Sequence, residues 1–518
     1  MWTRKSAVLA GAALLATTLH PAQATAAHDR GLPLGPDNVT ESRSVQTLQP
    51  GVTLTTIRRG EPDPANTWTV EVAIPGGSDN PDPDTPPTAL ADREHAEALA
   101  AELATASFTA RVEKVTTPSL ADYRGGTLGY RVRVGTHPTK AEADAELAAI
   151  RAAQFTASTV FTGWDGNQPD RGPWEVRVLT IDPRAFEGTL TGDYGPDLES
   201  RETTSALAAA KNATAAVNAG FFVLDPAAGA PGDPAGIGVY NKKLLSEATN
   251  GRPAFTFSDN AKKADVARQT WTGAVHNGHK TVRLDGINRV PGLIRNCGGT
   301  GDEPTTLPRH DTTCTDQDEL ILFTNDYGPA TPKGSGVEAL VDKKNRVTEV
   351  RTPRGGPLPE GTRALQATGE KAAELSALGK YLTITSRVKG HTDDYVVNGG
   401  PELVRDGRQH ATPATDGMVR PNDPSFYYGW AHKRNPRTIA GVDSRGRILL
   451  VTADGRSTAS LGLSIAESAA VAQSLGMRKA INLDGGGSTT MVTDNEVINT
   501  PSDATGERPV GDAILILR

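Results

Sequence analysis

Short stretches of alternating apolar and polar residues run along this chain, separated by longer runs of helix-forming composition. Trp68-Thr69-Val70-Glu71-Val72-Ala73-Ile74 alternates with period two and predicts a half-buried strand. Ala89 to Ala106 is rich in Ala, Leu and Glu, which favours a helix. Thr109 to Val115 alternates again. The order then repeats: Tyr130-Arg131-Val132-Arg133-Val134-Gly135 predicts a strand, Lys140 to Ala153 a helix, and Thr156 to Phe161 a closing strand. From Trp174 onward strands and turns dominate. Helices are predicted only at about Ser205 to Lys211, Gly369 to Leu378 and Ser464 to Leu475. Runs such as Glu319 to Thr324, Gly336 to Val341, Tyr381 to Thr385, Ile439 to Val442 and Ile448 to Thr452 have the short apolar character of buried strands. The balance predicts an α+β fold with mixed sheets, not a doubly wound one.

The N-terminus has the layout of a secretory signal. Arg4 and Lys5 are charged, Ala7 to Leu19 is apolar but short for a bilayer span, and small residues follow at Ala22-Gln23-Ala24 and Ala24-Thr25-Ala26. A signal peptide is therefore expected over residues 1–26, with a mature protein that is soluble, extracellular or cell-wall associated, and free of the membrane. The net charge of -7 gives no basic footprint for nucleic acid. In an exported chain the two cysteines, Cys297 and Cys314, are expected to form one disulfide. No metal site is expected, since four ligands at a recognised spacing are not seen. No cofactor is expected either: neither a Gly-x-Gly-x-x-Gly after a strand nor a P-loop occurs. The Gly-x-Ser-x-Gly elbow of serine hydrolases is also absent.

Candidate chemistry concentrates near the C-terminus, in Asn482-Leu483-Asp484-Gly485-Gly486-Gly487-Ser488-Thr489-Thr490. Three glycines after an apolar stretch let the backbone approach a ligand closely. Consecutive N–H groups in such a turn can cradle an anion. The same residues also suit a tight turn with Asp484 as turn former. Upstream lie Arg437-Thr438, then Asp454-Gly455-Arg456, then a helix-like stretch with Glu467 in its first turn. Ser464-Ile465-Ala466-Glu467 is a capping-box sequence, which by itself would explain Glu467.

This order of parts resembles the phosphodiester glycosidase family. Asn218-Ala219-Gly220-Phe221-Phe222, Asn398-Gly399-Gly400-Pro401, Pro501-Ser502-Asp503 and Gly506-Glu507-Arg508-Pro509-Val510 also look like its motifs. One departure is that Thr438 is followed by Ile439-Ala440-Gly441, where the family usually has Ala-Ile-Gly. The resemblance implies release of a sugar from a carbohydrate phosphodiester by cleavage at the anomeric carbon. It implies Asp484, Glu467 and Asp454 as catalytic carboxylates and Arg437 as a phosphate clamp. It further implies a substrate site lined by Asn218, Gly220, Asn398, Gly399, Gly400, Asn482, Gly485, Gly486, Gly487 and Ser488.

The two-fold strand–helix–strand segment resembles the SPOR domain, a βαββαβ module that binds peptidoglycan. A Pro/Asp-rich stretch, Pro75 to Pro87, departs from the compact form. Residues 45–60 are expected to be the first strand of the catalytic domain, 66–164 the SPOR-like module and 172–518 the glycosidase domain. The module would thus be an insertion. Its flanks, Gly60 to Thr67 and Gly163 to Gly172, have linker composition. Two readings follow: an enzyme brought to the cell wall, or a non-catalytic peptidoglycan-binding protein that keeps the glycosidase fold.

Overall fold

The computed structural model describes residues 31–75, 88–249, 251–295, 313–390, 393–420 and 423–518. Leu32–Arg518 forms one compact unit. The expected signal segment, most of the Pro/Asp-rich stretch and Cys297 lie outside the described residues; Cys314 lies on the short strand Thr313–Thr315.

The largest sheet has eight strands, in the order Glu41–Gln49, Val52–Arg59, Trp174–Ile181, Ile448–Ala453, Arg437–Asp443, Met477–Asn482, Glu402–Arg405 and Arg408–Gln409. Val52–Arg59 pairs antiparallel with Trp174–Ile181, Leu54 opposite Leu179 and Ile57 opposite Val176. The chain between those two strands forms a separate four-stranded sheet. A five-stranded sheet contains Ala215–Asn218 and Ala513–Leu517, and another contains Tyr395–Asn398 and Pro253–Phe257. Leu179, Leu450, Ala440 and Ile481 of the large sheet pack with Val217, Ile514, Phe255 and Val397 of these two in one buried core. Such apolar burial is the main stabilising term. The expected α+β architecture with mixed sheets is what the chain adopts.

Three strands of this sandwich end on asparagines: Asn218, Asn398 and Asn482. Their ends converge, because Asn482 accepts through its carbonyl from the Gly400 amide at 2.8 Å and Asp484 donates its amide to the Ala219 carbonyl at 2.9 Å. The candidate site is built there.

The inserted region runs strand Trp68–Val72, helix Arg93–Thr105, strands Ala110–Thr117 and Gly126–His137, helix Lys140–Ala152 and strand Ala157–Phe161. Thr139 caps the second helix in a capping box with Glu142. Because side chains alternate across a strand, Val70, Val72, Val132 and Val134 pack with Leu99, Leu103 and Ile150 of the helices. Glu71, Arg131 and Arg133 point the other way. That opposite face is not solvated as the alternating pattern suggested. Arg133 is 1% exposed and Glu71 4%; Glu71 is held by Tyr428 and Lys433, and Arg133 by Glu71 and Asp165.

The second flank also departs from its linker reading. Arg434 donates to the Gly163 carbonyl at 3.0 Å, the Gln168 carbonyl at 3.1 Å and Asp170 at 3.2 Å. Gly163, Gln168 and Asp170 form a cradle for one buried guanidinium. Among the described residues no helix is long and apolar enough to cross a membrane.

Candidate active site

The Asp484 loop is fixed before any ligand arrives. Asn218 Nδ2 donates to the Asp484 carbonyl at 2.7 Å, and Asn218 Oδ1 accepts from Thr438 Oγ1 at 2.7 Å and from the Thr490 amide at 3.1 Å. The Leu483 amide donates to the Thr438 carbonyl at 2.8 Å, and the Gly486 amide to the Pro436 carbonyl at 2.9 Å. Each glycine of the loop meets a constraint of its own. Gly486 sits at φ 59°, in the left-handed region. A Cβ on Gly487 would collide with the carboxylate of Asp503 and the guanidinium of Arg508.

Asp484 itself is half-buried. Burial pushes its carboxyl up to about 6, although Arg508 pulls the other way. The neighbouring Asp512 is also pushed up to about 6 by burial. Its Oδ1 accepts from the Gly220 amide at 2.7 Å and its Oδ2 from Tyr240 Oη at 2.7 Å. The sequence reading missed Asp512. Its only signal is a Gly511-Asp512 step ahead of the last apolar strand, and that reads equally well as a turn.

Cations surround the loop. Arg508 forms a bidentate pair with Asp503 at 2.7 and 3.0 Å. Arg456 is exposed to solvent, yet its guanidinium lies 3.3 Å from the Cβ position of Gly486. Its Nε donates to Asn435 Oδ1 at 3.1 Å. Arg437 is buried, and it donates from Nε to the Leu463 carbonyl at 2.9 Å and from Nη2 to the Trp430 carbonyl at 2.7 Å. Burial, and then Arg456, lower its pKa to about 9. Neither Arg437 nor Arg456 makes an ion pair among the described residues. Neighbouring cations without a paired carboxylate leave a positive field that an anion would neutralise. Arg456 and Arg508 lie within motifs quoted from the sequence, but only the folded loop shows that they face Gly486 and Gly487.

Several sequence-derived candidates take other places. Glu467 closes the capping box: its Oε2 accepts from the Ser464 amide at 2.8 Å, and the Ser464 hydroxyl accepts from the Glu467 amide at 3.1 Å. Arg434 then donates to Glu467 Oε1 at 2.8 and 3.0 Å. Both carboxylate oxygens thus accept hydrogen bonds, from Arg434 and from the helix cap. Asp454 Oδ2 accepts from Arg177 Nη1 at 2.9 Å and the Thr500 amide at 3.1 Å. It anchors the loop leading to Asp503, and burial raises its pKa above that of an ordinary carboxyl group. Asn218, Asn398 and Asn482 are buried. Asn398 exchanges both amide groups with the backbone of Phe221, and Asn482 Nδ2 donates to the Gly400 and Leu483 carbonyls. These asparagines position the loops. Gly220, Gly399 and Gly485 fit where a Cβ would press on Asn398 Nδ2 at 2.7 Å, the Asn482 carbonyl at 2.7 Å and the Pro436 carbonyl at 2.8 Å. Gly400 adopts φ 150° and Ser488 is fully buried.

Residues 335–517 match the family model described as phosphodiester glycosidase, and residues 88–161 match the SPOR domain model. The chain belongs to the phosphodiester glycosidase family and carries a SPOR domain. A solved Burkholderia pseudomallei K96243 protein, named as a candidate for export, is 33% identical, with a TM-score of 0.84 over 95% of this chain and 99% of that one. A hypothetical protein from Synechocystis aligns over 93% of this chain and 80% of its own, with 16% identity and a TM-score of 0.53, which shows a shared fold. A SPbeta prophage-derived protein of Bacillus subtilis strain 168 is 36% identical over 89 residues, which span 17% of this chain and only 14% of that relative.

Proposed function

We propose that the protein is an exported hydrolase that cleaves a sugar-1-phosphodiester to free sugar and phosphomonoester. The observation that carries this reading is the half-buried Asp484 on its triple-glycine loop, ringed by Arg456 and Arg508. The leaving group is a phosphomonoester, a better leaving group than an alcohol, so protonation by a strong general acid matters less than in ordinary glycoside hydrolysis. Arg456 and Arg508, with Arg437 behind them, bind the phosphate and disperse the charge that builds on it as the bond to the anomeric carbon breaks. Asp484, ionised at neutral pH, faces the positive charge developing at that carbon. Water supplies the new hydroxyl on the sugar, and its proton leaves to solvent or to the released phosphate. Glu467, Asp454 and the three asparagines hold these groups in place.

The SPOR domain supports a second element of the proposal, association with peptidoglycan at the cell wall. The experiment for the catalytic reading is incubation with α-linked sugar-1-phosphodiesters, following free sugar and phosphomonoester together. Co-sedimentation with peptidoglycan tests the second element. Sedimentation without any turnover would favour the non-catalytic wall-binding reading.

A further inference from the structure

The SPOR domain is pressed against the segment from Tyr428 to Arg434, next to groups that support two of the site's arginines. Its inner sheet face buries a charged lattice. Glu71 Oε2 accepts from Arg133 Nη2 at 2.9 Å and from Tyr428 Oη at 2.8 Å, and Glu71 Oε1 accepts from Lys433 Nζ at 2.7 Å. Arg131 donates to Tyr428 Oη at 2.8 Å, and Arg131 and Arg133 both clasp Asp165 at 2.8 Å. Lys433 and the two arginines hold the Glu71 carboxyl down at about 2 against the opposing effect of burial. The Arg434 amide donates to the Trp164 carbonyl at 2.9 Å.

The other side of the same segment supports the site. The Trp430 carbonyl accepts from Arg437, and Asn435 Oδ1 accepts from Arg456. Asn435 Nδ2 is itself tied to the Gly429 and Lys433 carbonyls at 3.1 and 3.2 Å. Lys433 is therefore one hydrogen bond from Asn435, the support of Arg456, and Tyr428, whose carbonyl accepts from the Lys433 amide at 2.9 Å, lies two residues before Trp430, the support of Arg437.

We infer that Tyr428 and Lys433 are positioning residues through which the SPOR domain holds Arg437 and Arg456 in their anion-binding arrangement. The domain is then a working part of the glycosidase site and not only a tether. This rests on the reading of the arginine cluster as a phosphate site.

The test measures inorganic phosphate binding by calorimetry in the full chain and in three variants, with thermal unfolding as a check on folding. Tyr428→Phe removes one hydroxyl, and Lys433→Met removes the charge while keeping the stem. Asp122→Asn perturbs a different contact between the domains, where Asp122 accepts from the Ala414 and Thr415 amides at 3.2 and 2.6 Å. Phosphate affinity should fall by about threefold to thirtyfold in the first two variants and stay at the wild-type value in Asp122→Asn. Where a sugar phosphodiester is turned over, KM should rise more than kcat falls. Wild-type phosphate affinity in a folded Tyr428→Phe protein would overturn the inference, as would an equal loss in Asp122→Asn. If Lys433→Met fails to fold, Tyr428→Phe decides alone. Failure of the wild-type protein to bind phosphate at all would instead refute the phosphate-site reading beneath it.

Discussion

Asn218 Nδ2 donates to the main-chain carbonyl of Asp484 at 2.7 Å, from a side chain with no exposed surface. That bond ties the strand Ala215–Asn218 to the glycine loop, so the carboxylate is aimed by the fold and not by its ligand. Asn218→Ala should leave buried donors and acceptors unsatisfied on both segments, at a cost of about 1–3 kcal/mol. It should also lower turnover. Chemical denaturation and initial rates on one preparation check the two effects together.

The Gly487 position gives a sharper local test. A methyl group there meets Asp503 and Arg508, so Gly487→Ala must displace that pair. The expected result is a large loss of turnover and of phosphate affinity in a protein whose secondary structure is unchanged by circular dichroism. Unaltered phosphate affinity would mean that Arg508 is not part of the anion site.

Asp454→Asn separates anchoring from chemistry. The change leaves Arg177 buried at 7% exposure with Glu175 as its remaining partner. Removing one member of a buried pair typically costs about 3–5 kcal/mol. Stability should fall, and activity measured well below the lowered melting temperature should be largely retained. Full loss of activity with unchanged stability would return Asp454 to the reacting centre.

Asp484 links pH to both stability and rate. Its folded pKa, about 6, lies above the ordinary carboxyl value of 3.8. The folded state therefore holds the proton more tightly than the unfolded chain. The corresponding stability is fully present below the unfolded value and is lost as pH rises through about 6. Asp484→Asn removes this loss, so its melting temperature should exceed that of the wild type near about pH 8 and converge with it near about pH 4. Wild-type activity should rise with pH through about 6, as the ionised form accumulates.

The strands, helices and glycine loop were legible because their signals are local. Period two from Trp68, the Ser464 to Glu467 capping box and the Asp484 loop each sit in one short stretch of chain. What was not legible depends on distant partners. The ion pair on Glu467 was not legible because Arg434, which donates to it, lies 33 positions away in sequence. The burial of Arg131 and Arg133 was not legible because the alternating pattern does not say what covers that face. Asp512 was hidden because its partners, Gly220 and Tyr240, lie 292 and 272 positions away.

That burial changes what removal of the SPOR domain should do. Replacing residues 62–170 with a short Gly/Ser loop strips Tyr428 and Lys433 of Glu71, and Arg434 of Asp170 and the Gly163 carbonyl. The deletion should be insoluble or markedly destabilised, as judged by size-exclusion recovery and thermal unfolding. A soluble deletion with wild-type turnover would show that the domain is a simple tether.

Which bond is broken decides the central claim, and hydrolysis in oxygen-18 water reads it directly. Cleavage at the anomeric carbon places the heavy oxygen on the released sugar, and the phosphomonoester stays unlabelled. The account predicts that labelling pattern for the wild-type protein, with both products nearly lost in a folded Asp484→Asn variant. Heavy oxygen in the phosphate would mean that the P–O bond is cut, and wild-type turnover by Asp484→Asn would take the carboxylate out of the reaction; either result contradicts the account.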